Sequence, residues 1–172
     1  MKRFFTCLML ASLFLATSCV FDKDPSDEEY EMAIGDTIPD FTVTMIDSTV
    51  VTGADLRKGK ALILFFHSDC PDCRGTLPSV QKVYDEYDSA DVRIVLISRE
   101  DTKESVESFW LENGLKMPYS AQNDRKIYEK FAATRIPRVY VNEKGGIIRY
   151  VFTDDPNPSY DEICTALENV IR

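Results

Sequence analysis

The chain has 172 residues, of which 44% are hydrophobic and 28% are charged, as is typical of one compact domain with a hydrophobic core. Its formal net charge of −9 excludes the clustered basic surface that binds nucleic acid or an anionic membrane surface. We therefore expect an acidic domain that does not bind nucleic acid.

The first eighteen residues have the layout of an export signal. Lys2 and Arg3 are basic, residues 4–16 form an apolar stretch too short to span a bilayer, and small residues precede Cys19. We predict a signal peptide over residues 1–18 and an exported protein that works in the cell envelope.

The same segment resembles the signal of bacterial lipoproteins, in which small residues precede a cysteine that becomes acylated. Leu15 lies one position further from the cysteine than the pattern has it, because Ala16 occupies the usual leucine position. The resemblance implies that Cys19 is a lipid anchor and that the domain is periplasmic and attached to a membrane. An ordinary secretory signal cleaved near Cys19, or an uncleaved anchor, is the alternative.

Residues 19–33 are dominated by carboxylates. They contain one basic residue, Lys23, and six acidic residues, Asp22, Asp24, Asp27, Glu28, Glu29 and Glu31. Such a run buries too little apolar surface to offset the entropy of ordering it. We predict a solvated tether over residues 19–33 that joins the anchor to a single domain over residues 34–172.

Strands and helices alternate within that domain. Apolar runs and helical periodicity predict a hairpin over residues 41–51, a buried strand over 61–66, a helix over about 73–87, a second buried strand over 92–98 and a helix between Thr102 and Gly114. A short segment around residues 116–122, a helix over 124–131, a hairpin over 136–152 and a helix over 159–171 follow. This order predicts an α/β fold with a sheet flanked by helices.

Cys70 and Cys73 form a C-x-x-C motif between the first buried strand and the helix that follows it. A helix N-terminus offers free N–H groups and the positive end of the helix dipole, which stabilise a thiolate, and thiolates attack disulfides. We expect Cys70 to be the exposed nucleophile and Cys73, one turn later, to be the thiol that resolves the mixed disulfide.

Other uses of these cysteines remain open at this point. A structural disulfide over so short a loop would add little stability. His67, Cys70 and Cys73 are three candidate zinc ligands, but a structural site needs a fourth. Cys164 lies on the apolar face of the last predicted helix, so we expect an ordinary buried thiol there.

Four motifs together resemble the thioredoxin superfamily, and within it the TlpA/ResA-like thiol–disulfide oxidoreductases. They are CPDC after the strand ALILFF, Pro78 five residues beyond Cys73, GDTIPDF at residues 35–41, and TRIPRVYVNEKGGIIRYV at residues 134–151. The resemblance implies a thioredoxin-like fold: a central mixed sheet flanked by helices, with an N-terminal hairpin and a short strand-helix insertion.

The resemblance also implies roles for individual residues. Cys70, Cys73 and Pro137 would be catalytic, with a cis peptide bond before Pro137. Pro71, Asp72 and Ile136 would line the substrate groove. Phe66, His67, Tyr119 and Arg138 are further candidates for choosing the substrate.

The chain departs from the family's pattern before and around the motif. Asp69 replaces the usual Trp, and Leu64 and Thr76 occupy two positions where many relatives have a buried acid, so the group that assists proton transfer is unassigned. Asp72 is a candidate for that role, although we expect it to be solvated.

By this resemblance the protein is a reductase of protein disulfides with no cofactor and no metal. Its partners would be protein thiols and disulfides, an upstream electron donor and the membrane, and it would act as a monomer. Asp69 and Asp72 favour the reductase direction because negative charge disfavours the thiolate that an oxidant needs.

Two other functions stay open. One is a non-catalytic envelope lipoprotein, either a binding module or a metal chaperone, although copper delivery expects C-x-x-x-C and a later histidine, and no histidine follows Cys73. The other is a peroxiredoxin-like thiol peroxidase, although Ile63 and His67 replace the proline and threonine of that pattern.

Overall fold

The computed structural model describes residues 30–88 and 92–171. The predicted signal peptide over residues 1–18, the lipid anchor Cys19 and most of the tether lie outside the described residues. Within the two described ranges, no helix is long and apolar enough to cross a membrane.

The order of elements agrees with the predicted alternation. The strands are β1 (Thr42–Thr44), β2 (Val50–Thr52), β3 (Lys60–Phe66), β4 (Val92–Ser98), β5 (Tyr119–Ser120), β6 (Arg138–Asn142) and β7 (Ile148–Phe152). The helices are α1 (Gly53–Arg57), α2 (Pro71–Tyr87), α3 (Lys103–Glu112) and α4 (Tyr160–Ile171).

Five strands form a mixed sheet in the order β5-β4-β3-β6-β7. β3 is central and pairs in parallel with β4 and antiparallel with β6. β1 and β2 form a separate antiparallel pair. The predicted mixed sheet, N-terminal hairpin and flanking helices are confirmed, and the carboxyl ends of β3 and β4 meet at one edge of the sheet.

The apolar run that predicted β3 is buried on both faces, from Ala61 to Phe66. Successive side chains of a strand point to opposite faces. Accordingly Phe65 lies 4.9 Å from the Phe131 ring, and Phe66 lies 5.0 Å from the Trp110 ring. These contacts hold the end of β3, and hence the residues that follow it, between two aromatic clusters.

Residues 124–131 differ from the prediction of a helix. Only Tyr128–Lys130 is helical, as a single 3₁₀ turn. The Asp124 carboxylate accepts the Lys126 N–H at 3.0 Å, a local turn that competes with a helical start. The Tyr128 hydroxyl donates to the carbonyls of Thr134 and Arg135, which ties this turn to the chain that follows.

The last residues of the predicted tether contact the domain. Met32 is 3% exposed, and its N–H donates to the Phe131 carbonyl at 2.8 Å. Glu31 forms an antiparallel bridge with Ala132. Solvation of the whole tether was therefore the wrong expectation for Glu31 and Met32, because Met32 adds an apolar side chain that the core accommodates. The domain boundary at Ile34 stays a prediction.

Candidate active site

Cys70 is the N-cap residue of α2. Its extended backbone leads from β3 into the helix, and its Sγ accepts the N–H of Cys73 at 3.3 Å. Pro71 occupies the first helical position, where no N–H is needed. The helix begins two residues earlier than the sequence predicted, because Cys70 caps it with a sulfur in place of the usual oxygen.

The Ile136 carbonyl faces the same sulfur from the other side of the site. The Cys70 thiol donates to that carbonyl over 3.5 Å, and the Ile136–Pro137 peptide bond is cis, as predicted. Ile136 is 8% exposed, and Pro137 is buried. The structure thus brings the Cys70/Cys73 pair together with the Ile136–Pro137 step, although more than sixty residues separate the two pairs in the chain.

Cys73 lies beneath Cys70 and is fully buried. Burial raises the pKa of the Cys73 thiol well above its ordinary value, and the neighbouring Cys70 side chain raises this pKa further. A hydrogen bond with the backbone of His67 lowers the same pKa, but by less. Both cysteines are free thiols, so the site is a dithiol with one accessible and one protected sulfur.

Asp101 is a buried acid beside the C-x-x-C motif that was not among the predicted site residues. It is 4% exposed, and its Oδ2 accepts the Ser68 N–H at 2.7 Å and lies 3.9 Å from Nδ1 of His67. The signal for it was an acidic residue shortly after the predicted strand β4, whose end lies beside the end of β3. Asp101 therefore anchors the segment that connects β3 to Cys70.

Asp69 and Asp72 flank Cys70 at the surface. The Asp69 side chain is 85% exposed and lies 3.6 Å from the Arg74 guanidinium. Asp72 is exposed, as expected, but it is not merely solvated, since it accepts a hydrogen bond from the Asn157 side chain at 3.1 Å. Asn157 belongs to the connection between β7 and α4, which therefore borders the exposed end of the motif.

Three residues proposed to choose the substrate do not reach the surface. Phe66 is fully buried, and Tyr119 and Arg138 are each 4% exposed. The prediction that these three residues line the groove was wrong. Phe66 ends β3, and Tyr119 and Arg138 begin β5 and β6, where neighbouring elements cover their side chains. Pro71 is exposed, and His67 is partly exposed, with its Nδ1 accepting the Asp69 N–H at 3.1 Å.

Among the described residues, the third cysteine lies apart from the motif. Cys164 is on α4 and is 8% exposed, as expected for an ordinary packed thiol. In the described part of the chain, no group of three His, Cys, Asp or Glu side chains is arranged to hold a metal ion.

Comparison with known proteins agrees with this geometry. Residues 34–151 match the AhpC/TSA family. Over 122 residues the chain is 29% identical to the thiol-disulfide oxidoreductase ResA of Bacillus thuringiensis strain Al Hakam, which covers 70% of this chain and 69% of that protein.

Solved structures show the same fold. A proposed protein disulfide isomerase from Bacteroides thetaiotaomicron superposes with a TM-score of 0.73 at 26% identity, covering 83% of this chain and 91% of the other. A secreted disulfide oxidoreductase of Mycobacterium tuberculosis gives a TM-score of 0.66 at 21% identity, covering 75% and 95%. These likenesses agree with the thioredoxin-like architecture that the motifs implied.

Proposed function

The chain belongs to the AhpC/TSA family and is a thioredoxin-like thiol–disulfide oxidoreductase, and on this premise we propose that it reduces disulfides of exported proteins. The observation that carries the proposal is the position of Cys70, partly exposed at the N-cap of α2, above the buried thiol of Cys73. The Cys70 sulfur can contact a substrate while the Cys73 sulfur remains buried behind it.

In the first step, the Cys70 thiolate attacks one sulfur of a substrate disulfide. A bond forms between Cys70 and that sulfur, the substrate disulfide breaks, and the second substrate sulfur leaves as a thiolate that takes up a proton. The Cys73 N–H, 3.3 Å from the Cys70 sulfur, and the first turn of α2 stabilise the attacking charge.

In the second step, Cys73 loses its proton and attacks the Cys70 sulfur. The mixed disulfide breaks, the substrate leaves as a dithiol, and Cys70 and Cys73 are joined by a disulfide. Two electrons and two protons have passed to the substrate. Because burial raises the pKa of Cys73, this thiol is protonated before the attack. A thiol donor must then reduce the enzyme again.

The carboxylates beside Cys70 support the reductase direction. Asp69 and Asp72 place negative charge at the surface next to Cys70, and within residues 30–88 and 92–171 only Asp69 of the two forms an ion pair, with Arg74. Strong oxidants have a dithiol form in which the nucleophilic thiolate is unusually stable. A measured reduction potential near that of DsbA, about −120 mV, would contradict the proposed direction.

An envelope location is supported by the predicted signal over residues 1–18 and by the secreted relative. We propose that Cys19 is acylated and holds the domain at a membrane. Mass spectrometry of the purified protein should find a lipid on Cys19, and replacement by serine should release the domain into the soluble fraction. Retention of the Cys19→Ser variant in the membrane would contradict the anchor.

Reduction of insulin by a regenerating dithiol tests the activity. We expect Cys70→Ser to abolish turnover, because the attacking sulfur is lost. Cys164→Ser is the matched control, since it removes a buried thiol on α4 that lies outside the motif, and it should retain the wild-type rate. Equal rates for wild type and Cys70→Ser would refute the proposal and favour a binding module.

Trapping identifies the physiological partner. Cys73→Ser removes the resolving thiol, so the mixed disulfide between Cys70 and the substrate should accumulate. Mass spectrometry of the reducible adducts from the host names the substrate. The same adducts should be missing from Cys70→Ser.

A further inference from the structure

The N-terminal segment enters the domain directly behind the substrate loop, which we define as residues 132–136. Glu31 pairs with Ala132, the first residue of this loop, and the Met32 N–H donates to Phe131. The loop ends at Ile136, whose carbonyl faces the Cys70 sulfur. Residues 131–136 therefore contact the end of the tether at one end and Cys70 at the other.

The Glu31 carboxylate holds the middle of the substrate loop. Its Oε1 accepts the Thr134 N–H at 3.2 Å and the Thr134 hydroxyl at 3.1 Å. Its Oε2 forms an ion pair with the guanidinium of Arg138, two residues beyond the loop. A single side chain thus fixes both the loop and the start of β6.

The cation in this pair is buried and depends on Glu31. The Arg138 side chain is 5% exposed, and its Nη2 donates to the Thr134 carbonyl at 3.0 Å. Among residues 30–88 and 92–171, Glu31 is the only carboxylate within ion-pair distance of Arg138, and the Arg138 Nε has no hydrogen-bond partner. A buried charge that loses its counter-charge is strongly unfavourable, so removing the Glu31 charge should shift the guanidinium and the Thr134 carbonyl bound to it.

A protein substrate must pass over this loop. For a bond to form, a substrate sulfur has to approach the Cys70 sulfur, and the Ile136 carbonyl is already 3.5 Å from it. Thr134 and Arg135 precede Ile136 and are exposed, so a polypeptide that brings its sulfur to Cys70 would contact them. A small disulfide has no polypeptide to place there and would not need these contacts.

We propose that Glu31 is a positioning residue for protein substrates, which it serves by fixing the substrate loop through Thr134 and Arg138. This inference rests on the proposed reductase function. The end of the segment that the sequence predicts as a tether, residues 19–33, thereby gains a role in substrate binding.

The test compares Glu31→Gln with Glu143→Gln in the full-length protein. Glu143 is a matched control because its side chain is also 33% exposed and also pairs with an arginine, Arg149, but that arginine is 48% exposed and lies on β7. Steady-state kinetics with insulin and the rate of reaction with the small disulfide DTNB are measured for each variant.

We expect Glu31→Gln to raise the KM for insulin about tenfold, with kcat and the DTNB rate within about twofold of wild type. Glu143→Gln should match wild type in all three quantities. Thr134→Val replaces the hydroxyl that donates to Glu31 with a methyl group at an exposed residue. It should raise the insulin KM about two- to fivefold, and it keeps the test decisive if Glu31→Gln folds poorly.

The double variant Glu31→Gln with Arg138→Met separates substrate binding from stability. It removes the buried charge along with its partner, so the urea midpoint should return toward wild type while the insulin KM stays high. An insulin KM for Glu31→Gln equal to that of Glu143→Gln overturns the inference, as does an equal loss of insulin and DTNB reactivity. If wild type itself fails to reduce insulin, the proposed function fails instead.

Discussion

Replacing Asp101 with alanine tests whether the buried carboxylate holds the segment that carries Cys70. The Asp101 Oδ2 accepts the Ser68 N–H at 2.7 Å, and both residues are 4% exposed. Alanine leaves a buried N–H without an acceptor, which costs about 1–3 kcal/mol, and bonds to charged groups fall in the upper part of that range. We expect the free energy of unfolding to fall by about 2 kcal/mol.

The assay is urea unfolding of the reduced protein at neutral pH, followed by the fluorescence of Trp110, the only tryptophan in the chain. Asp101→Asn keeps an oxygen that accepts the Ser68 N–H, so it should lose only about 1 kcal/mol. Asp47→Ala is the control, because Asp47 is exposed and accepts the Thr49 N–H at 2.9 Å at the surface. It should change stability by no more than about 0.5 kcal/mol.

Insulin reduction should slow in Asp101→Ala, because Ser68 lies two residues before Cys70 and its displacement would move Cys70 relative to Ile136. A loss below about 0.5 kcal/mol in Asp101→Ala, indistinguishable from Asp47→Ala, would refute the reasoning. It would mean that the packing of β3, rather than this hydrogen bond, holds the segment.

Three further predictions concern stability. Because burial raises the pKa of Cys73 above its ordinary 9.0, the unfolded chain ionises first as the pH rises, and the folded chain then binds more protons. The free energy of unfolding should therefore fall above about pH 9, by up to about 1.4 kcal/mol per pH unit from this group, and Cys73→Ala should remove that part of the slope in urea titrations. Gly53→Ala should destabilise by more than about 2 kcal/mol, since its Cβ would lie 2.1 Å from the Pro39 carbonyl oxygen. Gly75→Ala, with open space around the added atom inside α2, should instead stabilise by about 0.5–1 kcal/mol, and equal effects in thermal unfolding would contradict both assignments.

The parts of the site that the sequence could predict are those encoded by neighbouring residues. An apolar run followed by C-x-x-C and a helical pattern places two sulfurs at a helix start, because spacing along a helix is a local property. The resemblance of residues 134–151 to a known family added Pro137 and Ile136. Both residues lie where that resemblance implied, with the Ile136 carbonyl at the Cys70 sulfur.

Other parts were decided by contacts between distant segments. Asp101 and Ser68 are 33 positions apart, and Glu31 and Thr134 are 103 positions apart. No short stretch of sequence contains either pair, so local patterns could not predict these contacts. The same holds for Arg138, which was expected near the substrate groove but is buried and pairs with Glu31 across 107 positions (138 − 31). The helix expected over residues 124–131 failed for the related reason that the Tyr128 hydroxyl binds the substrate loop.

The sequence by itself predicted the chemistry, namely two cysteine sulfurs at a helix start in an acidic chain. Only the tertiary structure decided which groups hold that chemistry in place. The physical reason is that helix starts and buried strands follow from local spacing and hydrophobicity, whereas a buried carboxylate or guanidinium takes its role from the partner that folding brings to it.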